Sequence, residues 1–223
     1  AVMKWNSSGT LLFDYEYEDG TVEDMFNAVA VDKSGNMYVL TRIYPSSVQQ
    51  PCLMKIDSSG TILWQRRLTP ASSSIVPQQV GLDLNDNPII KCEDRSVDGL
   101  LFAKWNKSGV LQWKNRLSRN TGSFTYWIGK MCITKNGNIN FNLTESSPTG
   151  RLIGQIPSDG SLTGTYGAYV YAAASNVTEQ SYSGWSAASS SMGTQSVTMA
   201  VADITTSSGS YPGSGSLQTM WWF

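Results

Sequence analysis

The chain has 223 residues, of which 40% are apolar and 11% aromatic, enough to bury a substantial core. Its formal net charge is −1, only 15% of residues are charged, and it contains no histidine. That removes Ser-His-Asp and Cys-His catalysis and His-ligated metals, and it leaves no overall basic field to draw nucleic acid or an anionic membrane.

In chain order, the sequence is a run of short apolar segments hinged on polar turns. KWNSSGTLLF at 4–13 comes first, followed by VAVDKSGNMYVL at 29–40 and KIDSSGTILW at 55–64. VGLDLNDNPIIK at 80–91, KWNKSGVLQW at 104–113, MCITKNGNINFN at 131–142 and QIPSDGSLTG at 155–164 complete the series. Two motifs therefore alternate. The glycines of the first motif, Gly9, Gly60, Gly109 and Gly160, are spaced 51, 49 and 51, and the second motif recurs at 51 and 51. Ser-Gly, Asn-Gly and Asp-Asn supply the left-handed backbone that tight hairpin turns need. The flanks alternate with period two, as in Val29 and Val31, then Met37 and Val39. Each motif predicts a β-hairpin, with turns at 7–9, 33–36, 58–60, 84–87, 107–109, 135–138 and 158–160.

Two hairpins per repeat make four strands in about 50 residues, the pattern of a β-propeller blade. The expected fold is all-β: about three and a half propeller-like four-stranded blades, followed by a Ser/Thr-rich β extension. Trp64, Trp113, Phe13, Ile62 and Leu111 are the expected packing rows, with Trp64 and Trp113 in the core. Three and a half blades do not close a ring, so the sequence reads as a segment of a longer chain, or as one of several copies completing each other's sheets.

All 16 Lys and Arg lie between Lys4 and Arg151, and beyond that only Asp159, Glu179 and Asp203 carry charge. This divides the chain into a repeat domain, 1–171, and a low-charge Ser/Thr/Ala-rich extension, 172–223. The extension ends in Met220-Trp221-Trp222-Phe223 but is too poor in apolar residues for a private core. It is expected to be ordered by other copies, as a homo-oligomer with a trimer favoured and Trp221, Trp222 and Phe223 at the interface.

KIDSSGTILWQRRL and VAVDKSGNMYVL resemble the propeller repeats of bacterial surface proteins and of virion proteins of marine tailed phages. GQIPSDGSLTGTYGAYVYAAAS at 154–175 is similar to the end of the propeller in such virion proteins, ahead of a Ser/Thr/Ala-rich tail. The sequence departs from that pattern at Pro88 and Thr134. The resemblance implies a structural or adhesive bacteriophage protein in the virion, a tail fibre or receptor-binding component, with other virion proteins and a host-surface glycan as partners. The alternatives are a tailspike polysaccharide depolymerase and a bacterial cell-surface propeller.

Individual residues suggest sharper chemistry. Asp32, Ser34 and Asn36, and likewise Asp83, Asn85 and Asn87, are spaced like half of a calcium loop. The twelfth position is Ile43 or Asp94 instead of Glu, and the central Gly is Met37 or Pro88, so these read as turns and no metal site is expected. Asp14, Glu16, Glu18, Asp19, Glu23 and Asp24 cluster, and a pair such as Asp14 and Glu16 could serve a glycosidase. They read instead as a solvated acidic face, and no catalytic residue or cofactor is expected. Arg66 and Arg116 stand at nearly equivalent places and read as ion-pair partners, not a nucleic-acid stripe. Cys52, Cys92 and Cys132 read as small buried reduced thiols. For ligand contact the loop aromatics Tyr44, Tyr126 and Trp127 are the candidates. No apolar run approaches the ~18–20 residues of a membrane span.

Overall fold

The structure, a computed structural model, describes residues 2–18, 25–120, 129–146 and 149–189. It is all-β, with one 3₁₀ turn at Pro45–Ser47. Strands β1 (Val2–Trp5) and β2 (Leu11–Glu18) form the first hairpin. An antiparallel meander of β3 (Met25–Val31), β4 (Met37–Ile43), β5 (Gln50–Ile56) and β6 (Ile62–Pro70) follows. A second meander contains β7 (Ile75–Leu82), β8 (Pro88–Asp94), β9 (Gly99–Trp105) and β10 (Leu111–Arg119). A three-stranded sheet then contains β11 (Met131–Ile133), β12 (Asn138–Ser146) and β13 (Thr149–Pro157). The described chain ends with β14 (Gly164–Tyr166), β15 (Tyr169–Ala173), β16 (Val177–Ser181) and β17 (Ser186–Ser189).

All seven turns fall where the repeat places them, and five share one side-chain chemistry. Six of them close hairpins, whereas the turn at 158–160, expected to close a seventh, leads from β13 to β14, which pairs with β15 in another sheet. At Asn6–Thr10 the backbone closes through Asn6 N–H to Thr10 O at 2.9 Å and Gly9 N–H to Asn6 O at 3.0 Å. The Asn6 side-chain oxygen then accepts from the N–H groups of Ser8 and Thr10 at 3.0 and 2.8 Å. Asp32, Asp57, Asp83 and Asn106 repeat this pair of bonds to the residues two and four places on. A type I turn followed by a left-handed residue is the standard three-residue hairpin loop. Glycine fills the left-handed place in six turns, and Asp86, at φ 62°, fills it in the seventh.

Alternation along the strands puts apolar residues on both faces of the middle sheets, so three cores lie between four sheets stacked in chain order. Phe13 and Tyr17 meet Met37, Val39, Met54 and Ile56 between the first and second sheets. Tyr38, Leu40 and Leu53 meet Ile90, Ala103 and Trp105 between the second and third. Phe102 and Leu117 meet Ile139, Phe141 and Leu143 between the third and fourth. The outward face of the fourth sheet is an amide ladder, in which Gln155 bonds Asn140 at 2.7 Å and Asn138 at 3.3 Å. The sheets form no closed barrel or ring among the described residues.

The last strands have no place in the repeat. β15 pairs with β10, β16 with β6 and β17 with β2, all antiparallel, so the chain runs back across the outer edges of three sheets in reverse order. Residues 172–189, expected to be ordered by other copies, are thus ordered by their own chain. Residues 1–190 form one compact unit, and residues 191–223 lie outside the described residues. A β-strand needs only an open edge and alternating bulk, which a Ser/Ala-rich sequence supplies where a core does not.

Candidate binding surfaces

The sheets have two ends, and their chemistry differs. At the turn end each hairpin is locked onto the next. The ring of Trp64 lies against Gly109 and that of Trp113 against Gly160, so close that a Cβ there would meet them at 2.9 and 2.5 Å. Phe13 and Tyr15 cover Gly60 in the same way. The carbonyl of each covered glycine accepts a side-chain bond: Gly60 from Tyr17 at 2.7 Å, Gly109 from Arg66 at 2.7 Å, Gly160 from Asn115 at 2.9 Å. Trp64 and Trp113 do occupy equivalent places, partly buried, each packed against the margin of a core while its ring also lids a turn. Their indole N–H groups donate to Lys107 O and Ser158 O at 3.2 and 3.1 Å.

The calcium-like loops are absorbed by the same end. In Asp32, Oδ1 accepts from Ser34 N and Asn36 N, and Oδ2 accepts from the Asn36 amide at 2.8 Å and faces Lys55 Nζ at 3.8 Å. Asp83 has the equivalent bonds, with Lys104 Nζ at 2.8 Å. Burial raises both carboxyls, but the bonds from Asn36 and Ser34 with the Lys55 charge outweigh it in Asp32, and those from Lys104, Asn87 and Asn85 do so in Asp83. Both sit below the ordinary carboxylate value. Donors and a cation already hold these oxygens, so the arrangement is a turn and not an open metal cradle. No cluster of three or more metal-ligating side chains occurs among the described residues.

At the opposite end the connections differ from one another. The turn at Pro45–Ser47 links β4 to β5, and the stretches at 71–74 and 95–98 link the next strands. Ser74 ties them together, accepting from Gln49 N at its hydroxyl (3.1 Å) and from Arg95 N at its carbonyl (3.1 Å). Ser47 and Asp98 hold positive φ angles of 64° and 49° there, conformations that non-glycine residues adopt only when the surroundings impose them. Tyr44 stands at this end, half-buried. Its hydroxyl accepts from Arg42 Nη1 at 3.2 Å and donates toward Met25 Sδ at 4.0 Å, which fixes the ring. Tyr126, Trp127, Trp221, Trp222 and Phe223 lie outside the described residues.

The remaining candidates separate clearly. Tyr17 and Tyr171 are core residues, and burial raises the pKa of both hydroxyls, Tyr171 to about 12. Arg66 bonds the Gly109 carbonyl and pairs with Glu179 at 3.3 Å, and Arg116 holds Asp94 at 2.5 Å and Asn176 at 2.6 Å. Both arginines therefore anchor the returning C-terminal strands. Cys52 and Cys92 are buried, whereas Cys132 is exposed, and no disulfide joins them.

A second surface, absent from the sequence expectations, lies beside β1. It is an apolar groove of about 520 Å³ between β1 and β3, lined by Met3, Trp5, Phe26, Val29 and Val31 with Lys4 at one side. Two strand edges unpaired among the described residues meet there, because among those residues β1 pairs with β2 alone and β3 with β4 alone. Comparison with family models, curated proteins and solved structures finds no match.

Proposed function

We propose that this chain is a structural and adhesive protein whose sheets are propeller-like blades and whose connector end binds a ligand. The observation that carries this reading is the contrast between the two ends. One end is a single turn repeated and locked in register by Trp64, Trp113, Arg66 and Asn115. The other presents unlike loops, laced together and carrying Tyr44. A rigid scaffold with variable loops at one end is the usual division of labour in a binding protein. Support for blades comes from the four-stranded meanders, chain-order stacking and the outer-to-inner link between sheets.

The resemblance of the repeats and of GQIPSDGSLTGTYG to phage virion proteins makes a tail fibre or receptor-binding component of a bacteriophage particle the role we favour. A host-surface glycan fits Tyr44, whose fixed ring offers a stacking face beside the polar groups of Gln49 and Arg42. A glycan array with product analysis tests this. We expect retention of surface polysaccharide without shortening, and about tenfold weaker retention by Tyr44→Ala, roughly 1.4 kcal/mol. Cleavage lost on Asp14→Asn or Glu16→Gln would establish the depolymerase instead. Antibody against the chain should decorate phage tails in electron micrographs, and label confined to a bacterial envelope would favour the surface propeller. For the trimer proposed through Trp221, Trp222 and Phe223, solution mass should equal three chains, and a stable monomer refutes it.

A further inference from the structure

The internal repeat shows how the groove beside β1 is filled elsewhere in the same molecule. β1, β5 and β9 are equivalent first strands of their hairpins, and β13 holds the same place in the repeat. The inner edge of β5 is covered by β4, that of β9 by β8 and that of β13 by β12, always antiparallel. Of these four strands, only β1 has no strand on its inner edge among the described residues. Side chains follow the backbone. Trp105 is 0% exposed and its counterpart Trp5 is 54% exposed, while Met54 is 0% and its counterpart Met3 is 38%.

The facing sheet makes the same point. Val80 and Leu82 of β7 pack into the second core, and Met131 and Ile133 of β11 into the third. Their counterparts in β3, Val29 and Val31, are 57% and 56% exposed. The first core, with Met37 and Val39 at its margin, ends where two further strands would continue it.

Charge specifies the missing piece further. Lys55 meets Asp32 in the turn of the inner hairpin of its own sheet, at 3.8 Å, and Lys104 meets Asp83 at 2.8 Å. Lys4 is the equivalent lysine. Among the described residues it has no carboxylate and donates to Gly35 O at 2.9 Å.

We propose that this groove is a docking site for a β-hairpin presented by a partner polypeptide. One strand adds antiparallel to β1, alternate apolar side chains cover Val29 and Val31, and an Asp in its turn meets Lys4 Nζ. A backbone partner is required because the edge offers N–H and C=O groups that neither a lipid nor a sugar satisfies in register. Two strands are required because the second and third sheets each fill this place with two, at ~4.8 Å per strand. The partner is thus defined by chemistry: an antiparallel hairpin, apolar on one face, with an acidic Asx-type turn.

The probe is a synthetic peptide of residues 25–43, which carries an inner hairpin with Asp32 in its turn. Added to the full chain, it should bind saturably and slow amide hydrogen exchange in Val2–Trp5 at least ~10-fold, the mark of new backbone pairing. Val31→Lys in the chain should abolish binding, and because Val31 is exposed the fold should survive, as circular dichroism would check. The peptide with Asp32→Asn should bind several-fold more weakly, and a scrambled peptide not at all. No binding, or binding indifferent to Val31→Lys, overturns the proposal. So does a β1 edge protected without peptide, whether by a second copy in a dimer or by the chain itself.

Discussion

At the scale of single residues, the left-handed place in each turn does two jobs that can be separated. It reverses the chain, and in three turns it also receives an aromatic ring from the strand that holds the equivalent place one sheet earlier. At Gly9 (φ 80°) a Cβ would meet nothing within 4 Å, so Gly9→Ala should cost only the left-handed strain, about 1–2 kcal/mol. At Gly160 (φ 79°) the Cβ would lie 2.5 Å from the Trp113 ring, so Gly160→Ala should add an overpacking cost of about 1–3 kcal/mol. Urea unfolding of the two variants measures the difference, and equal losses would refute the lid role of Trp113. Lys91 makes a second residue-scale case. It is fully buried and donates from Nζ to Gly129 O. Burial first, then Lys130, lowers its pKa to about 8, against the pull of Cys92. The unfolded chain keeps that proton to about pH 10.4. Between about pH 8 and pH 10 the unfolded state therefore binds more protons, and this group makes stability rise with pH. Lys91→Met should flatten that rise in a series of thermal midpoints, and an unchanged slope would show that Lys91 does not titrate there.

At the scale of elements, the returning segment that carries β15, β16 and β17 contributes to every core. Tyr171 enters the core of the third and fourth sheets, Ala174 and Val177 that of the second and third, and Trp185 that of the first and second. Gln65 fastens the last of these, donating to Trp185 O at 2.8 Å and accepting from Trp185 N at 3.1 Å. Trp185→Ala should cost about 3–5 kcal/mol, as for a large aromatic lost from a core. Gln65→Ala should cost less, yet should speed exchange of the Ser186–Ser189 amides while leaving Tyr169–Ala173 protected. Uniform loss of protection would show that the strands do not act one sheet at a time. The hairpins were legible in the sequence because Asn6, Asp32, Asp57, Asp83 and Asn106 each write a turn in local side-chain chemistry. The returning strands were not legible. Their pairing is made by backbone groups that any sequence carries, and Ala174 or Ser186 says nothing of which edge it will meet. Composition placed a boundary at 171, because loss of Lys and Arg marks a change of surface and not the end of a sheet. Of the candidate surfaces, Tyr44 was readable as a loop aromatic. The groove was not, since exposure of Met3 and Trp5 depends on a neighbour that is missing rather than on any residue present.

At the scale of the whole described unit, the architecture is a stack in which each sheet touches only its neighbours. Such a stack is held by nearest-neighbour interfaces and tends to unfold from its ends. The returning strands change that, because one covalent segment spans three sheets. They add five residue pairs on β10, five on β6 and four on β2. They also add Arg116 to Asn176 and Arg66 to Glu179, across the joins. Loss of the segment would leave three open edges and three cores each missing a side chain. The contrast to measure is therefore between chains ending after Ser190 and after Thr163. The longer chain should unfold in one calorimetric transition, with van't Hoff and calorimetric enthalpies that agree. The shorter chain should melt over a broader range, with a van't Hoff enthalpy below the calorimetric one, because its sheets are then coupled only pairwise. Equal ratios for the two chains would mean that the three cores alone make the stack cooperative, and that the returning strands add stability without coupling.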